Sequence, residues 1–307
     1  MSHPCLMSPP PRGWRILGAE NYRSRGRPPV SPRRAFVEWL ALADAIEAAG
    51  GAVAFLPASE EPLLTGLPYT ANAGWLRGPR LFRLANVSVA HRRAEQPVLA
   101  AALSALGFST EPARALWEGQ ADMCHLPGAV LLTYGVRSVR ASVEEVAALL
   151  PAGVRWHAAR LRDPFFHGDT CMDPLPAPRG PAWLAFPGAF ASHDEWKAAQ
   201  RFAAEFAEPV EISEEDALAY GCNSLPVGET LLMPAGLTPR LRDAAAAQGY
   251  ALRELDFTEL FGKGGGGPRC LVNELRGLAE VPAALSYATA RAALAAAIKD
   301  YPASPNG

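Results

Sequence analysis

One pattern recurs five times along this chain: a short apolar run, a loop of Gly, Pro or polar residues, an amphipathic segment, and often a Gly leading into another apolar run. In the first copy Arg15-Ile16-Leu17 precedes a stretch in which Phe36, Trp39, Leu40, Ala43 and Ile46 share one helical face, followed by Gly50-Gly51 and the strand-like run 52–56. Leu81-Phe82-Arg83-Leu84 leads to Leu99, Ala102, Leu103 and Leu106, closed by Gly107, and Val130-Leu131-Leu132 leads to Val143, Val146, Ala147 and Leu150. The fourth copy runs from Trp183-Leu184-Ala185-Phe186 to Trp196, Ala199, Phe202, Ala203 and Phe206. The fifth runs from Leu231-Leu232-Met233 to Leu241, Ala244 and Ala245, with Gly249 before a last strand-like run, 250–255.

A strand-helix-strand unit of this kind cannot bury its own faces, so neighbours must stack, and a ring leaves no terminal unit uncapped. The expectation is a closed five-part α/β ring, one domain over residues 1–307. Ala- and Leu-rich 283–299 should form a helix closing or covering the ring, and the tail should fray from about 302. A doubly wound sheet shares the alternation of strands and helices, but no G-x-G-x-x-G follows any of these strands.

With 49% hydrophobic residues the chain has ample core material, and disorder is not expected. A formal net charge of -2 gives no electrostatic footprint for nucleic acid or an anionic membrane, so small molecules are the expected partners; a homo-oligomer stays open. Cys5, Cys124, Cys171, Cys222 and Cys270 are an odd set without a C-x-x-C pair, against a disulfide framework and a zinc site, and fit a reducing cytoplasm. No metal or cofactor is expected. Residues 1–15 are Pro-rich without an apolar leader region, and no window holds the apolar run of a spanning helix.

A lone cysteine is more often a small buried apolar residue than a nucleophile. Cys270, however, follows Gly264-Gly265-Gly266-Gly267 with Lys263 and Arg269 close by, surroundings expected to expose a thiol and lower its pKa. His167 and Asp169 lie two apart in Asp163-Pro164-Phe165-Phe166-His167-Gly168-Asp169, so in extended backbone both address one pocket, the first able to shuttle protons and the second to bind a cation. Glu118 in Trp117-Glu118-Gly119-Gln120-Ala121-Asp122 and Asn72 in Tyr69-Thr70-Ala71-Asn72-Ala73-Gly74 read by themselves as ordinary turns.

Taken in order, these stretches resemble the guanidine-modifying pentein superfamily: arginine deiminases, dimethylarginine dimethylaminohydrolases, amidinotransferases and arginine dihydrolases. The resemblance runs from about Arg15 to Leu275. Besides the stretches above it includes Arg92 and Glu95 in His91-Arg92-Arg93-Ala94-Glu95, Tyr134-Gly135-Val136-Arg137-Ser138, Asn223 in Gly221-Cys222-Asn223-Ser224-Leu225, and Gly267-Pro268-Arg269-Cys270-Leu271. It implies a five-bladed α/β propeller with the active site in its central channel, in agreement with the five repeats. It also implies roles: Cys270 as nucleophile, His167 as proton shuttle, and Glu118 as the carboxylate that orients the imidazole and holds the guanidinium. Asp169 would grip the guanidinium and Arg92 and Arg137 the substrate carboxylate, while Asp122 and Asn223 would complete the binding set.

The chemistry so implied is addition of Cys270 to the guanidinium carbon, loss of an amine and hydrolysis of the covalent adduct. Asn72 departs from deiminases and dimethylargininases, whose matching motif usually carries an aspartate. An amide can hold a ureido oxygen, which an ionised carboxylate cannot, and so permits a second hydrolysis. The expectation is therefore an arginine dihydrolase giving ornithine, ammonia and carbon dioxide. The alternatives are a single hydrolysis to citrulline by a deiminase or dimethylargininase, an amidinotransferase, and a ring-shaped binding protein without activity.

Overall fold

The computed structural model describes residues 4–18 and 20–304, and these form five three-stranded sheets set around a hub. The first sheet draws on both ends of the chain. Its middle strand β1 (Cys5–Met7) is followed by helix α1 (Pro32–Ala48), which crosses over to β2 (Val53–Phe55), parallel to β1. The next four blades repeat one order: an innermost strand, an antiparallel middle strand, a crossover helix and a parallel outer strand. Blade two is β3 (Gly74–Leu76), β4 (Leu81–Leu84), α2 (Glu95–Ala105) and β5 (Ser109–Pro112). Blade three is β6 (Met123–Leu126), β7 (Ala129–Tyr134), α3 (Arg140–Ala147) and β8 (Arg155–Arg160). Blade four is β9 (Met172–Leu175), β10 (Ala182–Ala185), α4 (His193–Ala203) and β11 (Glu208–Glu211). A short helix α5 (Glu214–Leu218) leads to blade five, β12 (Leu225–Val227), β13 (Thr230–Pro234), α6 (Pro239–Ala247) and β14 (Ala251–Leu255). Then β15 (Asn273–Glu274) pairs antiparallel with β1, Cys5 opposite Glu274, and closes the ring.

The five-part α/β ring expected from periodicity, which is also the propeller the resemblance implies, is therefore the observed architecture, with one strand misplaced. Arg15-Ile16-Leu17 is not the opening strand; β1 lies upstream in Cys5-Leu6-Met7 and the 15–17 segment is a loop. The apolar run of β1 is only three residues long, and its partners lie at 53–55 and 273–274, so local pattern could not find it.

The crossover helices follow the predicted faces. In α1 the Ser31 side chain caps the N-terminus by accepting from the Arg34 N–H, Pro32 occupies the first turn, and Phe36, Trp39, Leu40, Ala43 and Ile46 are all buried. In α4 Trp196 stacks on Trp183 of β10 at 5.6 Å between ring centres. The Ala-rich stretch near the end gives α7 (Tyr287–Ala296), which packs on α1, with the Tyr287 hydroxyl 2.8 Å from Asp44. It covers the first blade, and the hub stays uncovered by it. Tyr301 stacks on Phe36 at 4.1 Å, and the Pro302 carbonyl accepts from the Arg33 N–H, so the chain is held at 301–302; 305–307, the end of the tail expected to fray, lie outside the described residues.

Candidate active site

The loop entering each innermost strand carries one of the polar residues singled out in the sequence. Thr70–Ala73 brings Asn72 to β3, Gly119–Asp122 follows Glu118 into β6, and Gly168–Thr170 follows His167 into β9. Turns at 219–222 and 268–271 bring Asn223 to β12 and Cys270 to β15. Five blades thus contribute five turns to one end of the hub.

Hydrogen bonds tie each turn to the next around the ring. Asn72 Nδ2 donates to the Glu118 carbonyl (3.3 Å), the Gly168 N–H to Asp122 Oδ1 (3.3 Å), and Asn223 Nδ2 to the Asp169 carbonyl (2.7 Å). The Cys270 N–H then donates to Asn223 Oδ1 (3.0 Å), and the Ala71 N–H to the Cys270 carbonyl (3.2 Å). Each side chain is positioned by its neighbour in the circuit, which is how a site assembled from distant sequence becomes rigid.

Glu118 is wholly buried and its carboxylate is the electrostatic centre. Oε2 lies 2.8 Å from His167 Nε2 and accepts from Arg137 at 3.2 Å, while Oε1 accepts from the Ser88 hydroxyl at 2.8 Å and the Ser88 N–H at 3.2 Å. Burial opposes ionisation, yet the His167 hydrogen bond and the positive charges of His167, Arg137 and Arg92 hold this carboxyl well below its usual range. Gly119 makes the sharp turn after it: its φ is +73°, and a Cβ there would come within 2.5 Å of the Ala71 carbonyl.

A cavity of about 70 Å3 opens onto this cluster. His167 and Cys270 both line it, together with Asn72, Arg92, Arg137 and Phe166. Arg92 is gripped by Glu95 through Nε and Nη2, and its Nη1 donates to Asn72 Oδ1 at 3.3 Å. Arg137 lies 4.4 Å over the Phe166 ring.

Three of the other expected residues stand behind this wall. Asp169 does not line the cavity: its Oδ2 lies 3.3 Å from Cys270 Sγ on the other side of the sulfur, so the two-apart spacing from His167 does not bring both side chains to one pocket. A tight turn begins at Gly168, which ends the extended backbone that spacing assumed. Asp122 is buried among the Thr133 hydroxyl (2.6 Å), the Ser138 hydroxyl and the Gly168 N–H, and Asn223 is spent on Asp169 and Cys270. These hydrogen bonds make Asp122 and Asn223 supports for neighbouring residues of the site.

The surroundings of Cys270 also differ from expectation. Gly264 to Gly267 are buried, packed on Tyr69, and at Gly266 a Cβ would stand 2.4 Å from the Tyr69 ring. Neither neighbouring cation faces the sulfur: Lys263 pairs with Glu259 and Arg269 with Asp173. Burial first, and then the Asp169 carboxylate, push the thiol well above its ordinary value.

Sequence reasoning missed Ser88, Phe166 and the described residues of the segment 16–24, of which Ile16, Leu17, Glu20, Asn21 and Ser24 line the cavity. That segment is held by Asn21 Nδ2 on the Gly265 carbonyl (2.7 Å) and by Tyr22 packed edge-on against Phe166 and Tyr220. Its apolar start, Ile16-Leu17, was read as a strand, and the Asn and Tyr that anchor it carry no periodic signal.

No family model matches the chain. Over 252 residues, 80% of this chain and 85% of the other, it is 28% identical to an uncharacterised protein of Caenorhabditis elegans. Over 222 residues, 70% of this chain and 68% of the other, it is 29% identical to N(G),N(G)-dimethylarginine dimethylaminohydrolase of Mycobacterium tuberculosis (strain ATCC 25618 / H37Rv). Among solved structures it is similar to the N-terminal domain of ArgZ bound to substrate, an arginine dihydrolase from the ornithine-ammonia cycle in cyanobacteria. The TM-score is 0.77 and the identity 26%, over 90% of this chain and 99% of that one. A dimethylarginine dimethylaminohydrolase adduct with S-methyl-L-thiocitrulline shares the fold at a TM-score of 0.68 and 20% identity, over 89% of this chain and 99% of that one.

The five-bladed ring is shared over nearly the whole chain with these enzymes of guanidino chemistry, so the fold is that of the pentein superfamily. The ArgZ domain and the mycobacterial relative are both guanidino-group hydrolases.

Proposed function

We propose that the protein is a cysteine-dependent arginine dihydrolase, converting arginine to ornithine, two molecules of ammonia and carbon dioxide. One observation carries the reading: the Asn72 amide lines the same cavity as Cys270 and His167, where a carboxylate would favour a single hydrolysis. The similarity to the ArgZ domain supports it.

The free thiol is neutral, because burial and Asp169 both oppose its ionisation. A guanidinium entering past Arg92 and Arg137 brings the compensating positive charge to the sulfur, so Cys270 becomes nucleophilic with substrate in place. The sulfur adds to the guanidinium carbon. His167, oriented by Glu118, passes the thiol proton to the departing amine, and ammonia leaves a covalent amidino-thioether.

Water then bonds to that carbon, the carbon–sulfur bond breaks, and its two protons go to His167 and to the released sulfur. The product at this stage is citrulline. The Asn72 amide holds its ureido oxygen by donating an N–H to it, so Cys270 adds a second time, a second ammonia leaves, and water releases a carbamate that loses carbon dioxide. Arg92 and Arg137 fix the substrate carboxylate, the planar fork suiting a planar anion. Five buried cysteines, none in a disulfide among the described residues, fit a reducing compartment. Among the described residues no helix is long and apolar enough to cross a membrane.

The mycobacterial relative favours a second reading, one hydrolysis of a methylated arginine to citrulline. Mass spectrometry of products from arginine, dimethylarginine and citrulline separates the two. Ornithine with two equivalents of ammonia from arginine supports the dihydrolase; citrulline as the end product removes it.

A further inference from the structure

The cavity that holds the thiol has a buried end and a solvent end. Cys270, His167 and Asn72 are buried, whereas Glu20, which lines the same cavity, is exposed. Among the described residues that line it, Glu20 carries the only carboxylate; the other ionisable side chains there are Arg92, Arg137, His91, His167, Tyr69 and Cys270. Gly18 and His91 locate that carboxylate, because a Cβ on Gly18 would collide with Glu20 Oε2 and stand 2.7 Å from His91 Cε1. His91 directly precedes Arg92 in the tight turn Ala90–Arg92, so Glu20 stands beside the guanidinium that takes the substrate carboxylate in the reading above.

We propose that Glu20 receives the α-ammonium group of the substrate, and so selects arginine with a free amino group over forms in which that nitrogen is acylated or replaced. The proposal rests on the hydrolase reading above, in which Arg92 and Arg137 hold the carboxylate. Ammonium and carboxylate sit on one carbon, so a substrate held there brings its second positive charge to the neighbourhood of His91. An ammonium that gives up water needs an acceptor in exchange. The other side-chain hydroxyls and the amide at this end are committed. Asn21 Oδ1 accepts from the Arg23 N–H (2.9 Å), the Thr65 hydroxyl accepts from the Leu17 N–H (3.2 Å) and donates to the Arg15 carbonyl (3.0 Å), and the Ser24 hydroxyl donates to the Asn21 carbonyl (3.2 Å). Glu118 is spent on His167, Arg137 and Ser88, and Asp169 lies on the other side of the sulfur. Glu20 has no hydrogen bond or ion pair among the described residues.

The ammonium is remote from the carbon that reacts, so its pairing is the same in the ground state and the transition state and acts on KM more than on kcat. Solvent at this end keeps the effect modest: one charge-assisted hydrogen bond, partly screened, amounts to about five- to tenfold in affinity. An acyl group on that nitrogen removes the charge and adds bulk against His91. Nα-acylated arginines, and arginines inside a peptide chain, should therefore be poor substrates.

The test compares arginine with argininic acid, which carries a hydroxyl in place of the amino group and is otherwise the same molecule. The native protein should prefer arginine in kcat/KM by about five- to tenfold, through KM. Glu20→Gln should erase that preference, and Glu20→Lys should invert it. Calorimetric binding of the two compounds to Cys270→Ala, with and without the Glu20 substitutions, should show the same pattern where no chemistry occurs. A preference for arginine that survives both Glu20 substitutions overturns the proposal, because both compounds then weaken in step. Equal handling of the two compounds by the native protein overturns it too. If the native protein releases no ammonia from arginine, it is the hydrolase reading that fails; binding to Cys270→Ala then decides the role of Glu20, and arginine that does not bind there overturns both.

Discussion

Glu118 Oε2 stands 2.8 Å from His167 Nε2 at the centre of the hub, a buried carboxylate that orients the imidazole facing the thiol cavity. Glu118→Gln keeps the shape and removes the charge, so the imidazole loses the partner that fixes its tautomer and stabilises its protonated form. Turnover should fall by about 10²- to 10⁴-fold, the range of a lost acid-base catalyst, with a smaller change in KM.

The same carboxylate affects stability with a definite sign. Its folded pKa lies below the unfolded value of about 4.3, so ionised Glu118 stabilises the native state above that pH, and the contribution is lost as pH falls through the folded pKa. Glu118→Gln should therefore be less stable than the native protein at neutral pH, with the gap closing below about pH 4. Denaturant midpoints across pH measure it.

A thiol raised by burial and by Asp169 makes Cys270 slow to alkylate in the free protein near neutral pH, whatever its role in catalysis. Slow reaction with iodoacetamide thus does not by itself indicate an inert binding protein. The informative comparison is the ultraviolet thiolate absorbance of a His167→Ala variant with and without arginine. Absorbance should appear at lower pH when arginine is bound; no shift would mean that the substrate's charge does not reach the sulfur.

Asn72 donates to the Glu118 carbonyl and accepts from Arg92. In Asn72→Asp the donor is lost and a charge is added that binds guanidinium but cannot hold a ureido oxygen. The product from arginine should move from ornithine toward citrulline. Unchanged ornithine output would remove Asn72 from the mechanism.

At Gly266 there is no room for a methyl group. A Cβ would meet the Tyr69 ring at 2.4 Å and Cys270 Cβ at 3.2 Å, and Tyr69 is itself fixed by its hydroxyl on the Leu260 carbonyl at 3.0 Å. Gly266→Ala should cost about 1–3 kcal/mol of stability and displace the nucleophile, seen as a lowered thermal midpoint together with a lowered kcat.

What the sequence disclosed follows from the length scale of each signal. The crossover helices and the middle strands β4, β7, β10 and β13 were legible because each repeats apolar residues at its own period over enough positions. The innermost strands β3, β6, β9, β12 and β15 were not, since two to four residues leave no room for a period. Yet these short strands and their entry turns carry the site. Asn72 and Glu118 could be singled out only through the order of their motifs, whereas Cys270 and His167 stood out from their local surroundings. Ser88 on Glu118 and Phe166 beneath Arg137 were invisible, because those contacts exist only after separate blades meet. The charge around Cys270 was misread for a related reason: adjacency placed Lys263 and Arg269 beside the thiol, while the fold turns them to Glu259 and Asp173.

The most direct measurement is rapid quenching of the protein with arginine, followed by intact-mass and peptide mass spectrometry. The expected result is a transient adduct of arginine less one ammonia on Cys270, absent in Cys270→Ala and formed before ornithine appears. Ornithine or citrulline formed at full rate by Cys270→Ala, or an adduct on a different side chain, would contradict the assignment of that sulfur as the nucleophile.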